Sequence, residues 1–228
     1  MQKHDLVDRA WAKTAMDLFD FNYNKYLIIV DYYSRYFEYF NLGRDSTSGS
    51  VIKSLKDIFS RLGIVDTYVS DNGPPFFSKR LKDFAKSYGF ELRNSAPLMA
   101  NSNGLVEKSV AIAKNILRKS EDPYLALMQY RNSPVKNVNQ SPNELMFGRL
   151  MKTNLPVSTD LLKNHDNLNT NTKGLLAKGF RKAKQQQEKY YNRNAHILPK
   201  LSTGDSVRYK KLANNNRNYL IKNAHGNE

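Results

Sequence analysis

Three acidic residues stand where the chain changes direction. Asp71 ends the apolar run Tyr68-Val69-Ser70 and precedes Asn72-Gly73-Pro74, residue types that accept the positive φ of a sharp turn. Glu107 follows Ser102-Asn103-Gly104, with 35 residues between it and Asp71, and opens a helix whose apolar stripe is Val106, Val110, Ala113 and Leu117. Asp17 lies upstream in Thr14-Ala15-Met16-Asp17-Leu18-Phe19. Carboxylates converging from separate elements supply the hard oxygen ligands that divalent cations need, and a pair of such cations serves phosphoryl transfer. The competing reading is that three of 21 acidic residues merely cap helices or face solvent.

The elements that must position these acids are legible from periodicity. Asp17 falls on a first strand, the turn Asn22–Lys25 leads into Tyr26–Tyr33, and Tyr36–Phe40 makes a third aromatic strand, giving an antiparallel meander. The continuous apolar centre Leu27-Ile28-Ile29-Val30 predicts a strand covered on both faces. A helix then runs from Ser46-Thr47-Ser48 to Gly63 on the stripe Val51, Leu55, Ile58, Phe59 and Leu62. Strand 65–70 delivers Asp71, a second helix spans Phe77–Tyr88, and Phe90–Arg93 makes a last strand. Residues 95–104 are expected to form a mobile loop feeding the Glu107 helix. Pro123–Arg131 reads as a further helix, and Ser141–Gly148 as a short capped one with Pro at its first position.

This order predicts an α/β, ribonuclease H-like architecture, a mixed five-stranded sheet flanked by helices, over residues 1–157. Residues 158–173 read as a linker, 174–211 as a basic helical and partial β extension, and 212–228 as a disordered tail. Such a sheet brings Asp17 and Asp71 to adjacent strand ends. Lys114, seven residues after Glu107, shares its helix face about two turns on, with Lys108 beside it. These cations can touch phosphate, and a solvated helix face is the plain alternative for Lys108, Lys114, Arg118 and Lys119. Asp31 reads as structural and Asp20 as turn chemistry.

The formal charge is +15, which favours a polyanion, most simply nucleic acid. Residues 161–228 hold 14 Lys and Arg against 4 Asp and Glu, a net +10, and residues 1–160 hold 22 against 17, a net +5. There are no cysteines, and His4, His165, His196 and His225 are scattered without ligand spacing, which excludes disulfides and a Cys/His zinc module. No apolar run approaches a membrane span and the N-terminus is too polar for a secretory signal, so an intracellular chain is expected.

With these residues in view, the chain resembles the catalytic core of integrases from retroviruses and gypsy-class LTR retrotransposons over residues 11 to 157. The resemblance rests on Asp17-Leu18, Tyr26–Arg35, Ser70-Asp71-Asn72-Gly73-Pro74, Ser102-Asn103-Gly104 before Glu107, Tyr130-Arg131-Asn132, and Ser141-Pro142 through Phe147-Gly148-Arg149. It implies Asp17, Asp71 and Glu107 as catalytic and metal-binding residues for two Mg²⁺ or Mn²⁺ ions. It also implies DNA contact by Asn72, Asn103, Lys108, Lys114 and Arg118. The implied activity is DNA integration by a metal-dependent polynucleotidyl transferase that cuts and joins element ends to target DNA by in-line phosphoryl transfer.

DNA and further copies of the chain are the implied partners, with no membrane and no zinc, and nuclear action after passage through the cytoplasm. The chain departs from the family pattern at Ala96, Leu98, Met99, Ala100 and Asn101, and at Pro75 where Gln is usual. Only 16 residues precede Asp17, too few for the zinc-binding domain that usually lies upstream. These departures motivate the alternative, a catalytically impaired or host-retained DNA-binding remnant, and a plain nuclease of the same fold is a third reading.

Overall fold

A computed structural model describes residues 7–44, 46–71, 73–94, 104–136 and 138–163, some residues between 178 and 189, and strands 206–210 and 219–223. The chain divides into two compact units, Met1–Ala183 and Lys184–Glu228. The first is built on a five-stranded sheet of β1 (Lys13–Phe21), β2 (Asn24–Asp31), β3 (Phe37–Gly43), β4 (Thr67–Ser70) and β5 (Glu91–Asn94), in the spatial order β3-β2-β1-β4-β5. The first three strands are antiparallel, and β4 runs parallel to both β1 and β5. The mixed five-stranded sheet expected from the sequence is therefore present.

The β1–β2 hairpin closes on Asn22-Tyr23, with Phe21 facing Asn24 across a two-residue loop. Both loop residues have positive φ, 46° and 61°, the sign pattern of a type I′ turn whose twist suits adjoining strands. Asn tolerates that region, whereas Tyr23, almost wholly exposed, has no packing to offset it. The β2–β3 connection is held by Asp31. Its buried carboxylate accepts from the Trp11 amide at 3.1 Å, the Ser34 amide at 2.8 Å and the Ser34 hydroxyl at 2.6 Å. Asp31 is thus structural, as expected.

Side chains alternate between two covered faces. Met16, Leu27, Ile29 and Tyr68 pack with α1 (Ser48–Leu62) and α2 (Lys79–Tyr88) through Val51, Leu55, Ile58, Leu81 and Phe84. On the other face Ala15, Phe19, Ile28, Val30 and Val69 pack with Val106 and Ala113 of α3 (Gly104–Lys119) and Leu127 of α4 (Pro123–Asn132). Leu27, Ile28, Ile29 and Val30 are all fully buried, which explains the unbroken apolar run of a strand covered on both sides.

Helix ends follow local chemistry. Thr47 and Ser78 cap α1 and α2 by accepting from the Ser50 and Leu81 amides, and Gly89 closes α2 in the left-handed region. The expected start of that second helix at Phe77 is corrected to Lys79 because Ser78 takes the cap position. The short helix α5 (Pro142–Phe147) carries a full capping box between Ser141 and Glu144.

A 3₁₀ turn at Thr159–Leu162 replaces the start of the expected linker. The described residues between 178 and 189 are helical. In the second unit β6 (Ser206–Lys210) pairs antiparallel with β7 (Tyr219–Asn223). The expectation of a disordered 212–228 is corrected over Tyr219–Asn223, where a Tyr-Leu-Ile run amid Asn-rich sequence is enough to complete a hairpin with β6. Among the described residues, no helix is long and apolar enough to cross a membrane.

Candidate functional site

Parallel register brings the first two acids together. Lys13, Thr14 and Ala15 of β1 face Thr67, Tyr68 and Val69 of β4. Two residues beyond the Ala15–Val69 pair, β1 reaches Asp17 and the chain leaving β4 reaches Asp71. Ala15 and Val69 both belong to the α3 side of the sheet, and a period of two carries Asp17 and Asp71 towards the same side. The third acid arrives from that side on α3, where Glu107 sits next to the buried Val106 in the first helical turn.

Each carboxylate is held differently. Asp17 is half-buried, and its Oδ1 accepts from the Leu18 amide at 2.7 Å. Asp71 is exposed and accepts from the Gly73 amide at 3.0 Å, an Asx-type turn that fixes the side chain at the exit of β4. A Cβ on Gly73 would stand only 3.1 Å from Asp71 Oδ1, so glycine leaves that carboxylate its room. Glu107 is exposed. Burial pushes the Asp17 carboxyl above the usual carboxylate range; the Leu18 amide opposes this, and the Asp71 and Glu107 charges add to the rise.

The three sequence-derived acids therefore meet within electrostatic reach at one end of the sheet. They do not close into a metal centre, because among the described residues no group of three His, Asp or Glu side chains stands at metal-binding spacing. The donor chemistry, all carboxylate, suits a hard divalent cation, but the spacing does not, and no reaction step follows from a cation held this way.

The basic residues named with these acids divide. Lys114 is half-buried, with its Nζ 5.7 Å from the centre of the Phe19 ring, two residues along β1 from Asp17. Lys108 and Arg118 are exposed on α3. Asn72 and Asn103 lie outside the described residues, as do residues 95–103 of the loop expected over 95–104, whose last residue, Gly104, instead begins α3. Phe19 is a site neighbour that the sequence reading does not single out; its place in an alternating strand beside Asp17 is the signal that points to it.

Several motif residues prove to be struts of the fold. Arg131 donates to the Phe37 carbonyl at 2.7 Å and pairs with Glu38 at 3.1 Å while lying 4.2 Å over the Tyr36 ring. Tyr36 in turn donates to Glu38 at 2.8 Å. Asn132 accepts from Asn143 at 2.6 Å and from the Met151 amide at 3.1 Å, so Tyr130-Arg131-Asn132 ties α4 to β3 and to the segment around α5.

Residues 8–98 match the family described as integrase core domain. An uncharacterized protein of Caenorhabditis elegans is 32% identical over 138 residues, which cover 57% of this chain and 11% of that protein. The Gag-Pol polyprotein of Walleye dermal sarcoma virus is 28% identical over 138 residues, covering 56% of this chain and 8% of that polyprotein. The chain thus spans about a tenth of the length of these curated relatives.

Among solved structures, the HTLV-2 integrase catalytic core domain in complex with magnesium superposes with a TM-score of 0.52 at 21% identity, covering 60% of this chain and 97% of that one. The catalytic core domain of BIV integrase gives 0.52 at 22% identity, covering 60% and 93%. Both show a shared fold.

Proposed function

From a domain that belongs, by fold and by sequence likeness, to the integrase catalytic cores, we propose that this chain is a DNA-binding integrase core whose catalysis is impaired. The observation that carries the reading is the carboxylate set itself. Asp17 feels both Asp71 and Glu107, yet the described residues hold no three ligands at cation-binding spacing. The departures at Ala96, Leu98, Met99, Ala100 and Asn101 precede the third acid, where small displacements weigh heavily on rate. Binding needs no such precision. Lys108, Lys114 and Arg118 on α3, with the net +10 of residues 161–228, supply phosphate contacts whose strength depends on salt rather than on a metal. DNA as partner implies nuclear action, and engagement of two DNA ends implies more than one copy of the chain.

A second reading is favoured by the same convergence of acids. Here Asp17, Asp71 and Glu107 are ligands of Mg²⁺ or Mn²⁺ in a polynucleotidyl transferase that cuts and joins DNA ends. One experiment separates the two. Purified chain is incubated with a labelled branched DNA that mimics an integration product, with Mg²⁺ or Mn²⁺ and beside a Glu107→Gln control. The first reading expects salt-sensitive DNA binding that persists in EDTA and no strand release or joining. Released or joined strands that disappear in the control would establish the second reading and overturn the first.

A further inference from the structure

The cations of α3 are not equivalent. Among the described residues Lys114 is the α3 cation that meets an aromatic ring, with its Nζ 5.7 Å from the centre of Phe19, whereas Lys108, Arg118 and Lys119 are exposed and meet none. A lysine carries its charge on a flexible four-carbon stem, and the helix fixes only where that stem begins. What the ammonium meets at the far end decides where the charge sits.

The Phe19 ring is itself held from three strands. It is 5% exposed and stacks on Tyr26, its cross-strand partner on β2, with ring centres 5.2 Å apart and planes at 12°. Tyr26 meets Phe21 edge-on at 6.5 Å and Tyr39 of β3 at 6.2 Å, and its hydroxyl accepts from the Asn41 side chain at 3.3 Å. Phe19 cannot swing without disturbing β1, β2 and β3 together, so its face is a fixed seat. The seat also stands at a set distance from the first acid. A period of two places Ala15, Asp17 and Phe19 on one side of β1, with the Asp17 and Phe19 Cα atoms about 7 Å apart.

We propose that Phe19 is the positioning residue for Lys114, registering the phosphate that this lysine neutralises to the strand of Asp17 rather than to α3 alone. The ring is too buried to stack on a base, so it acts through the lysine and not on DNA directly. A side chain already confined gives up less freedom when it meets a phosphate, and the gain appears as affinity. The inference rests on the reading that the chain binds DNA through α3, and it adds the group that sets where one phosphate lies. It applies equally to a core that joins strands and to one that only binds, because no metal enters it.

The test uses the full chain in EDTA with a fluorescent duplex. Affinity is measured across a salt series for mono-, di- and trifluorinated phenylalanine in place of Phe19. Fluorine withdraws electron density from the ring face with little change of shape, so the packing is kept while the attraction for an ammonium weakens. Affinity is expected to fall in step with the number of fluorines, by about two- to five-fold for the trifluorinated ring. The salt slope should stay at the wild-type value, because the ammonium is still there to neutralise its phosphate. In a Lys114→Gln background the same series should be flat, which separates positioning from packing. A flat series with Lys114 in place, an equal decline in both backgrounds, or an affinity that rises with fluorine content would each overturn the assignment while leaving DNA binding intact. A wild-type chain that binds no DNA would overturn the proposed function as well.

Discussion

The Lys114 ammonium stands 5.7 Å from the centre of the Phe19 ring, so a cation from α3 lies above the strand that carries Asp17. The aromatic face holds the lysine above β1, and among the described residues it enters no ion pair, which leaves its charge for a phosphate. Lys114→Gln is expected to reduce the salt slope of duplex binding by about 0.9, the signature of one phosphate left without its cation. Thermal stability should fall by no more than about 1 kcal/mol, the scale of a partly exposed cation–π contact. Fluorescence anisotropy across a salt series checks the first figure and thermal denaturation the second.

Asp17 gives a pH-dependent prediction. Its folded carboxyl titrates above the ordinary aspartate value of 3.8, chiefly through burial and then through Asp71 and Glu107, against the Leu18 amide. The native state therefore binds the proton more tightly than the unfolded chain, and the group costs stability as pH rises through its folded pKa. Asp17→Asn removes that cost and keeps an oxygen for the Leu18 amide. Its melting temperature should exceed wild type by roughly 2 °C at pH 7 and show no advantage at pH 3, where both states of the wild-type chain are protonated. An advantage of the same size at both pH values would show that the charge of Asp17 is not its source.

Asp31 and Glu38 are buried acids with full partner sets, so their loss should be felt in folding. Asp31→Ala leaves the Trp11 amide and both Ser34 donors without their acceptor and is expected to cost about 3 kcal/mol by urea denaturation, with Asp31→Asn recovering most of it. Arg131→Met strips Glu38 of its closest cation and the Phe37 carbonyl of its donor, at a similar cost. Arg131→Lys should rescue little, because one ammonium does not reproduce the planar fork that serves Phe37 and Glu38 while stacking on Tyr36.

A gain should come from the β1–β2 turn. Tyr23 is held at φ 61° with its side chain in solvent, where glycine fits at no steric cost. Tyr23→Gly is expected to stabilise the chain by about 0.5–1 kcal/mol and leave DNA affinity unchanged, as checked by parallel melts and titrations.

What the sequence discloses, and what it hides, follows from the range of the forces involved. The apolar run of β2, the stripes of α1 and α3, and the glycines closing helices at Gly63, Gly89 and Gly148 are local signals, and they locate the elements closely. The Ser78 cap is equally local, yet the aromatic pair Phe76-Phe77 before it draws the expected helix start two residues early. Glu38 and Arg131 lie 93 positions apart and meet only through tertiary packing, so nothing near either residue announces the pair. The site shows the same division. Strand ends and turn chemistry point to Asp17 and Asp71, whereas the proximity of Lys114 to Phe19 depends on how α3 lies across β1.

The parallel ladder between β1 and β4 also acts as a gauge of its own assembly. Tyr68 belongs to one covered face and Val69 to the other, so each strand position is committed to a side. A slip of one residue would bury the wrong partner on both faces, and it would also send Asp71 to the α1–α2 side, away from Asp17. The meeting of the two aspartates is therefore a report on strand registration, written in charge. Because neighbouring strands lie about 4.8 Å apart, the ladder fixes the spacing of Ala15 and Val69, two residues before the acids, and a change in either acid alone leaves that spacing intact.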